Sequence, residues 1–386
     1  MGNTDRLALA FVVDRFGNRF GGAEAYGVEL VRELARRHDV TIIARDYDDA
    51  CGLHLPFVAL RSWRGWPSWI RVLIFAVRAR RATRDKFDIV HSHMNGWCGD
   101  IEVIHVTPVR YNWRVRPLPW FKRLTSYVSL RIQTYLALER LRTRPRLAHR
   151  TVAVSGLIAE QLRQAYGNDF IAPVIPPGVT RPPMPTAAER ERLRASMGFS
   201  PEDQVCLLVA RNPMRKGLPT ILAALQALPA VVKLLVVGSD VSTRDFIDRT
   251  PAYRGLVERI VLVDATPEVD QYYSLANVYV HPTLNDSFGM APLEAMSFGL
   301  PVILSPTPWC GFADYVRHGQ DALVLSHPEN STELANYIMQ LIEDLELRST
   351  LLQQAQNLLD RHGWPQVAHE YEALYKAVLA ERAAAA

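Results

Sequence analysis

At 386 residues the chain exceeds what one hydrophobic core organises, since single cores stop growing at roughly 250–300 residues, and two domains are expected. Hydrophobic residues at 48% and charged residues at 22% exclude a disordered chain. The net charge of +4 conceals an asymmetry: Arg61–Arg150 holds 19 basic and 5 acidic residues, a local net of +14, which leaves the rest of the chain at −10.

Six of the eight tryptophans fall in that basic window (Trp63, Trp66, Trp69, Trp97, Trp113, Trp120), which points to a phosphate-rich partner. The opening residues Met1 to Arg6 and the apolar run Leu7 to Val13 do not make a secretory signal. In the basic window the most apolar stretch, Trp69 to Val77, is interrupted by Arg71 and is far shorter than the roughly 20 residues of a spanning helix. Cys51, Cys98, Cys206 and Cys310 lack CxxC spacing, so neither a disulfide framework nor a zinc site is indicated and a reducing cytoplasm is expected.

Short Val/Ile/Leu runs alternating with helical patterns predict doubly wound parallel sheets of βαβ units. The expected strands of the first half are Leu7 to Val13, Val40 to Ala44, Ile89 to Ser92, Val103 to Val106, Thr151 to Val154 and Val174 to Pro176. Between the first two of these lies a helix expected over Ala23 to Arg37. Five prolines within Ile175 to Pro185 forbid a long regular element and mark the linker. The second half repeats the scheme at Val205 to Ala210, Lys233 to Gly238, Ile260 to Val263, Val278 to His281 and Pro301 to Ser305. Val367, Tyr371, Leu374, Tyr375 and Val378 recur at helical spacing near the C-terminus and need a partner surface. The expected division is an acceptor-binding domain over 1–180, a nucleotide-binding domain over 181–362, and a C-terminal helix over 363–386 that packs back on the first domain. Ligands of such sheets bind at the carboxyl ends of the strands, so the motifs belong just after strands, lining a cleft.

The most informative segment runs from Asn277 to Leu304. After the strand ending at His281-Pro282, a polar loop leads into a helix opening near Gly289, where Pro292 fits the first turn. The N–H groups of Ser287, Phe288, Gly289, Met290 and Ala291 at the positive end of that helix suit a diphosphate, and Glu294 suits sugar hydroxyls. The simplest alternative makes Asp286 a helix cap and Glu294 a solvated carboxylate. After Val205 to Ala210 come Arg211 and Lys216, two cations suited to charge on a leaving diphosphate, with Arg215 a solvated neighbour. After the first strand, Gly21 and Gly22 let the backbone approach phosphate or sugar at a helix start.

Asp286-Ser-Phe-Gly-x4-Glu294-Ala-Met-x2-Gly-Leu-Pro-Val302 resembles the signature of retaining, nucleotide-sugar-dependent glycosyltransferases of the GT-B fold, family 4. Arg211 and Lys216 occupy the positions of that family's Arg and Lys, and Gly21-Gly22-Ala23-Glu24, Val152 to Gly156 and Ile175 to Val179 match its wording. One departure is Asp286, where the family usually carries Glu. His105 resembles the family's cleft histidine that meets the donor sugar, with His91 and His93 as rivals.

The resemblance implies a retaining transferase moving a sugar from a nucleoside diphosphate sugar to a glycan or glycolipid acceptor of the bacterial envelope, lipopolysaccharide type, with Asp286, His105, Arg211 and Lys216 at the reaction centre. It implies no cofactor and no metal, and in place of a DxD pair Asp48-Asp49 reads as an exposed turn. A phosphorylase, a nucleotide-sugar epimerase or a non-catalytic nucleotide-sugar-binding protein are the alternatives. For the basic, Trp-rich window the expected partner is an anionic membrane at the inner face of the plasma membrane, engaged peripherally, because no nucleic-acid module is present.

Overall fold

The computed structural model describes residues 6–63 and 65–385. Arg64, part of the basic window, and the opening residues 1–5 lie outside the described residues. The chain divides into two compact units. Val179–Gly363 forms one, and the stretch up to Gly178 together with the stretch from Trp364 forms the other.

In the N-terminal unit the elements are β1 (Ala8–Val12), β2 (Arg15–Phe16), α1 (Gly22–Leu34), β3 (Asp39–Ala44), β4 (Asp46–Tyr47), β5 (Phe57–Ala59), α2 (Ser68–Thr83), β6 (Ile89–Ser92), β7 (Ile101–Ile104), α3 (Trp120–Val128), α4 (Leu130–Thr143), β8 (Arg150–Ala153) and α5 (Gly156–Tyr166). Six strands make one parallel sheet in the order β5-β3-β1-β6-β7-β8.

The second unit contains α6 (Ala187–Ser196), β9 (Gln204–Val209), α7 (Leu218–Ala227), β10 (Val232–Ser239), α8 (Val241–Arg249), β11 (Ile260–Asp264), α9 (Asp270–Leu275), β12 (Val278–His281), α10 (Met290–Ser297), β13 (Val302–Leu304), β14 (Leu323–Val324), α11 (Ser331–Glu343) and α12 (Leu345–Arg361). Its sheet is again parallel, in the order β11-β10-β9-β12-β13-β14. Both sheets therefore wind outward in two directions from a central pair, β1/β6 in one unit and β9/β12 in the other. That is the Rossmann-like, doubly wound order, and the point between the central strands is where such sheets bind ligands.

The apolar runs become strands because parallel strands are covered on both faces. Cys206, Leu207 and Leu208 of β9 and Val278, Tyr279 and Val280 of β12 are all buried. The loops between are pinned by side-chain caps at helix starts, among them Ser155 Oγ accepting from Ile158 N–H at 3.2 Å and Asp240 Oδ1 from Thr243 N–H at 2.8 Å.

Several expected elements shift. The strand expected at Val174 to Pro176 reduces to a single bridge between Ala153 and Val174, because Pro173, Pro176 and Pro177 cannot donate to a ladder. The strand expected at Val103 to Val106 is instead Ile101–Ile104, which leaves His105 just past its end. Asp48 is not an exposed turn residue: it is buried and accepts a hydrogen bond from Ala50 N–H. The C-terminal pattern forms α13 (Trp364–Ala385), whose Val367, Tyr371, Tyr375 and Val378 are buried within the N-terminal unit. It is tied to α1 by Tyr371 Oη and Tyr26 Oη at 2.9 Å.

Candidate active site

In the second unit the two loops that leave the central strands are locked together. Gly217, just before α7, has φ of 91°, and a Cβ there would lie 2.0 Å from Pro282 O, directly after β12. Only glycine allows that approach. Leu284 N–H donates to Arg215 O at 3.0 Å, and Lys216 Nζ donates to Asn285 O at 3.4 Å. The β9–α7 loop thus delivers Lys216 to the β12–α10 loop that carries Asp286.

There Lys216 Nζ forms an ion pair with Asp286 Oδ2. The same oxygen lies 3.0 Å from His281 Nε2. Burial pushes the Asp286 carboxyl up, but the His281 hydrogen bond and the Lys216 charge together outweigh it and hold the group well below the usual carboxylate range. Asp286 is therefore an anion. Burial keeps His281 below the ordinary imidazole value, and since a carboxylate only accepts, the neutral ring donates from Nε2. His281 was not marked as a site residue by the sequence reading; its signal was a histidine as the last residue of a strand at the switch point.

The helix that follows, α10, has Gly289 as its cap at φ of 108° and no side chain capping its first N–H groups. Asp286 is thus no helix cap. Those amides are left without intrahelical partners, at the positive end of the helix dipole. A Cβ on Gly289 would sit 3.0 Å from Cys310 Sγ, so the turn is closed from behind. Phe288 is buried against Phe312 and Tyr315, so only its backbone can meet a ligand. Ser287, Met290 and Ala291 are half-buried. Glu294, one turn further, is half-buried and accepts a hydrogen bond from Tyr273 Oη at 2.9 Å. Burial raises its carboxyl above the ordinary value despite that bond. It is a held group, not a solvated surface carboxylate. Arg211 is exposed just after β9.

In the N-terminal unit, Gly21 caps α1 with φ of 154° and Gly22 opens the helix with nothing within 4 Å of where a Cβ would stand, so the helix start has open space in front of it. The three histidines that competed in the sequence form one row: His91 Nε2 to His93 Nε2 at 3.0 Å and His93 Nδ1 to His105 Nε2 at 2.9 Å. With nitrogens paired to one another they do not converge on a common point, and among the described residues no group of His, Cys, Asp and Glu is arranged to hold a metal. Gly21, Gly22 and the histidine row belong to one unit, and Arg211, Lys216, Asp286, Ser287 to Ala291 and Glu294 to the other.

Two Rossmann-like units, one with a cation, a carboxylate and a bare helix start at its switch point, define the class of GT-B transferases. Residues 20–181 match the family described as Glycosyltransferase Family 4, and residues 189–358 match Glycosyl transferases group 1. The chain is a glycosyltransferase of GT-B architecture. It is 28% identical over 389 residues to the D-inositol 3-phosphate glycosyltransferase of Xylanimonas cellulosilytica, covering 90% of this chain and 89% of that one. To the lipopolysaccharide glucosyltransferase WaaG of Escherichia coli it is 26% identical over 175 residues, 44% of this chain and 46% of that enzyme, so that match spans about half the relative's length. A crystal structure of WaaG superposes with a TM-score of 0.78 at 18% identity, over 94% of this chain and 98% of that one. Anabaena Alr3699/HepE in complex with UDP and glucose gives 0.74 at 18% identity, over 95% and 99%.

Proposed function

We propose that the protein transfers a sugar from a nucleoside diphosphate sugar to a lipid-linked or lipopolysaccharide-type glycan, with the anomeric configuration retained, as a member of family 4. The observation that carries this reading is the meeting of Lys216, Asp286 and the uncapped start of α10 at one switch point, with Glu294 a turn away. Lys216 Nζ has three donors and, among the described residues, uses two, on Asp286 and Asn285, so a third can meet a phosphate oxygen. Arg211, Lys216 and the amides of Ser287 to Ala291 take the diphosphate; Glu294, steadied by Tyr273, takes ribose hydroxyls; Asp286 takes hydroxyls of the donor sugar, and His105, in the N-terminal unit, takes a sugar hydroxyl. These cations and dipoles supply the charge stabilisation that a departing diphosphate requires, and the assignment includes no metal or cofactor. The diphosphate itself accepts the acceptor's proton on the face it leaves, which accounts for a site without a separate general base. That the Anabaena neighbour was crystallised with UDP and glucose, and that WaaG is a lipopolysaccharide glucosyltransferase, supports the choice of donor and acceptor.

Release of nucleoside diphosphate, measured after a thermal-shift panel of UDP, GDP, ADP and CMP sugars has picked the donor, tests the reading. Full transfer by Glu294→Ala and Lys216→Ala variants would remove the site assignment.

The basic window supports peripheral attachment to an anionic membrane, at the cytoplasmic face. On α3 and just beyond it, Trp120, Phe121, Leu124, Tyr127, Val128 and Leu130 are exposed, Trp120 by 77%, with Lys122 and Arg123 between them. Trp63, 67% exposed, and Trp66 add to the aromatic surface of this unit. Rings and cations interleaved in this way suit a headgroup layer. Arg114 is half-buried and lies over the Tyr127 ring at 4.0 Å, whereas Arg116 and Arg123 are exposed and are the better cations to reverse. Flotation with liposomes containing anionic lipid should fall about tenfold in an Arg116→Glu, Arg123→Glu variant; unchanged flotation sinks the membrane reading. Among the described residues no helix is long and apolar enough to cross a membrane.

A further inference from the structure

The histidine row continues beyond His91 into the C-terminal helix. His91 Nδ1 lies 2.5 Å from Tyr375 Oη of α13, so the full sequence of contacts is Tyr375–His91–His93–His105. The fold dictates this arrangement. His91 lies on β6 and His93 two positions on, so both project to the same side, and His105 follows β7, the neighbouring strand. The ring of Phe11 of β1 lies tilted at 4.6 Å from that of His93, Tyr371 of α13 tilted at 4.6 Å from His91, and Tyr26 of α1 edge-on at 4.9 Å from His105. Arg142, ion-paired with Glu102 at 3.2 Å, is a cation that acts on His93 and His105, and Glu370 and Glu372 flank the tyrosines on α13.

Burial holds His91 and His105 down to about 3 and His93 well below its ordinary value, with neighbouring histidines and Arg142 adding to the effect, so all three rings are neutral. A neutral imidazole has one N–H donor and one bare acceptor nitrogen. In a row that uses both nitrogens of His91 and of His93, the direction of the first hydrogen bond sets every later one. At the inner end, Tyr375 is fully buried, and among the described residues the hydrogen-bond partner of its hydroxyl is His91 Nδ1. A buried O–H left undonated is costly, so the phenol donates. His91 then donates from Nε2 to His93 Nε2, and His93 from Nδ1 to His105 Nε2, which leaves the His105 proton on Nδ1.

We infer that Tyr375 of the C-terminal helix is a positioning residue that, through His91 and His93, fixes His105 as its Nδ1–H tautomer and so presents a single N–H donor to an oxygen of the bound substrate. The relay stands on the contacts alone; the identity of that oxygen as a sugar hydroxyl rests on the proposed function.

The test is nitrogen-15 NMR of the full-length protein labelled at histidine, in which two-bond proton–nitrogen couplings report which ring nitrogen is protonated. His105 is expected as Nδ1–H in the wild type and as a mixture gaining Nε2–H in Tyr375→Phe. His93→Leu, which cuts the row, is expected to return His105 to the Nε2–H form that a solvated imidazole favours. A wild-type His105 protonated on Nε2, or a tautomer unmoved by either folded variant, overturns the inference. In transfer assays Tyr375→Phe should lower kcat about fivefold with the donor KM unchanged, the size of one neutral hydrogen bond. A tautomer that shifts while kcat stays constant would uphold the relay and refute the sugar role of His105, so the two failures are distinguishable.

Discussion

The two units share a strand order yet treat their switch points in opposite ways. At the β9/β12 junction the protein gathers charge: Lys216, an ionised Asp286 and the positive end of α10. At the β1/β6 side it gathers neutral groups, imidazoles and phenols whose burial keeps them uncharged over the ordinary pH range. One architecture therefore presents two chemically different surroundings. Charges fit a diphosphate, whereas a neutral, directional row fits an uncharged hydroxyl-bearing group, because a fixed donor discriminates by geometry without attracting counterions.

The contrast is open to attack, starting where the expected effect is largest. Lys216→Ala should lower kcat about 10²–10³-fold, the scale of removing one preorganised charge-stabilising donor, as read by nucleoside diphosphate release. A drop no larger than that of Arg215→Ala would show that the cation is only part of a solvated loop. Gly217→Ala should lower the stability of the second unit by at least about 2 kcal/mol in denaturant titration, because the added Cβ meets Pro282 O and the left-handed backbone resists a side chain. Glu294→Ala should raise the donor KM about 10- to 100-fold, as expected for losing hydrogen bonds to a carboxylate. Tyr273→Phe should do the same more weakly, since it removes only the group that steadies Glu294.

Acid titration is the mildest probe and separates the units. His91 and His105 bind protons near 6.5 when unfolded but only near 3 when folded, so the unfolded state holds more protons between those values. Their contribution to stability is present above pH 6.5 and is lost as pH falls toward 3. Asp286, held low in the folded state, contributes above its unfolded value of roughly 4 and loses that contribution only in stronger acid. Tryptophan emission should register the N-terminal unit first on acidification, since His91, His93 and His105 are all held low there against His281 in the second unit, and seven of the eight tryptophans report on the N-terminal unit while Trp309 reports on the other. Simultaneous loss of both units' signals would break the comparison.

Alternating apolar runs were enough to read both parallel sheets, because strands buried on both faces cannot tolerate polar residues and so announce themselves. What escaped was short or edge structure: β5 and β14 have three and two residues and carry no period of their own. The segment from Asp286 to Val302 was legible because a loop, a cap and a helix start are local in sequence. His281 and Tyr273 were not, since their roles come from partners, Asp286 and Glu294, that meet them only after the strands and helices pack.

By itself the sequence determined the doubly wound class, the position of the cations and carboxylates after strands, and the concentration of basic and aromatic residues between Arg61 and Arg150. Tertiary structure alone decided which of the three histidines lies at the end of the row, and that α13 supplies its inner anchor 284 residues away in the chain. Local patterns are set by backbone geometry and burial, which each segment carries with it; hydrogen-bond direction along a buried row is set by whichever distant group closes its end.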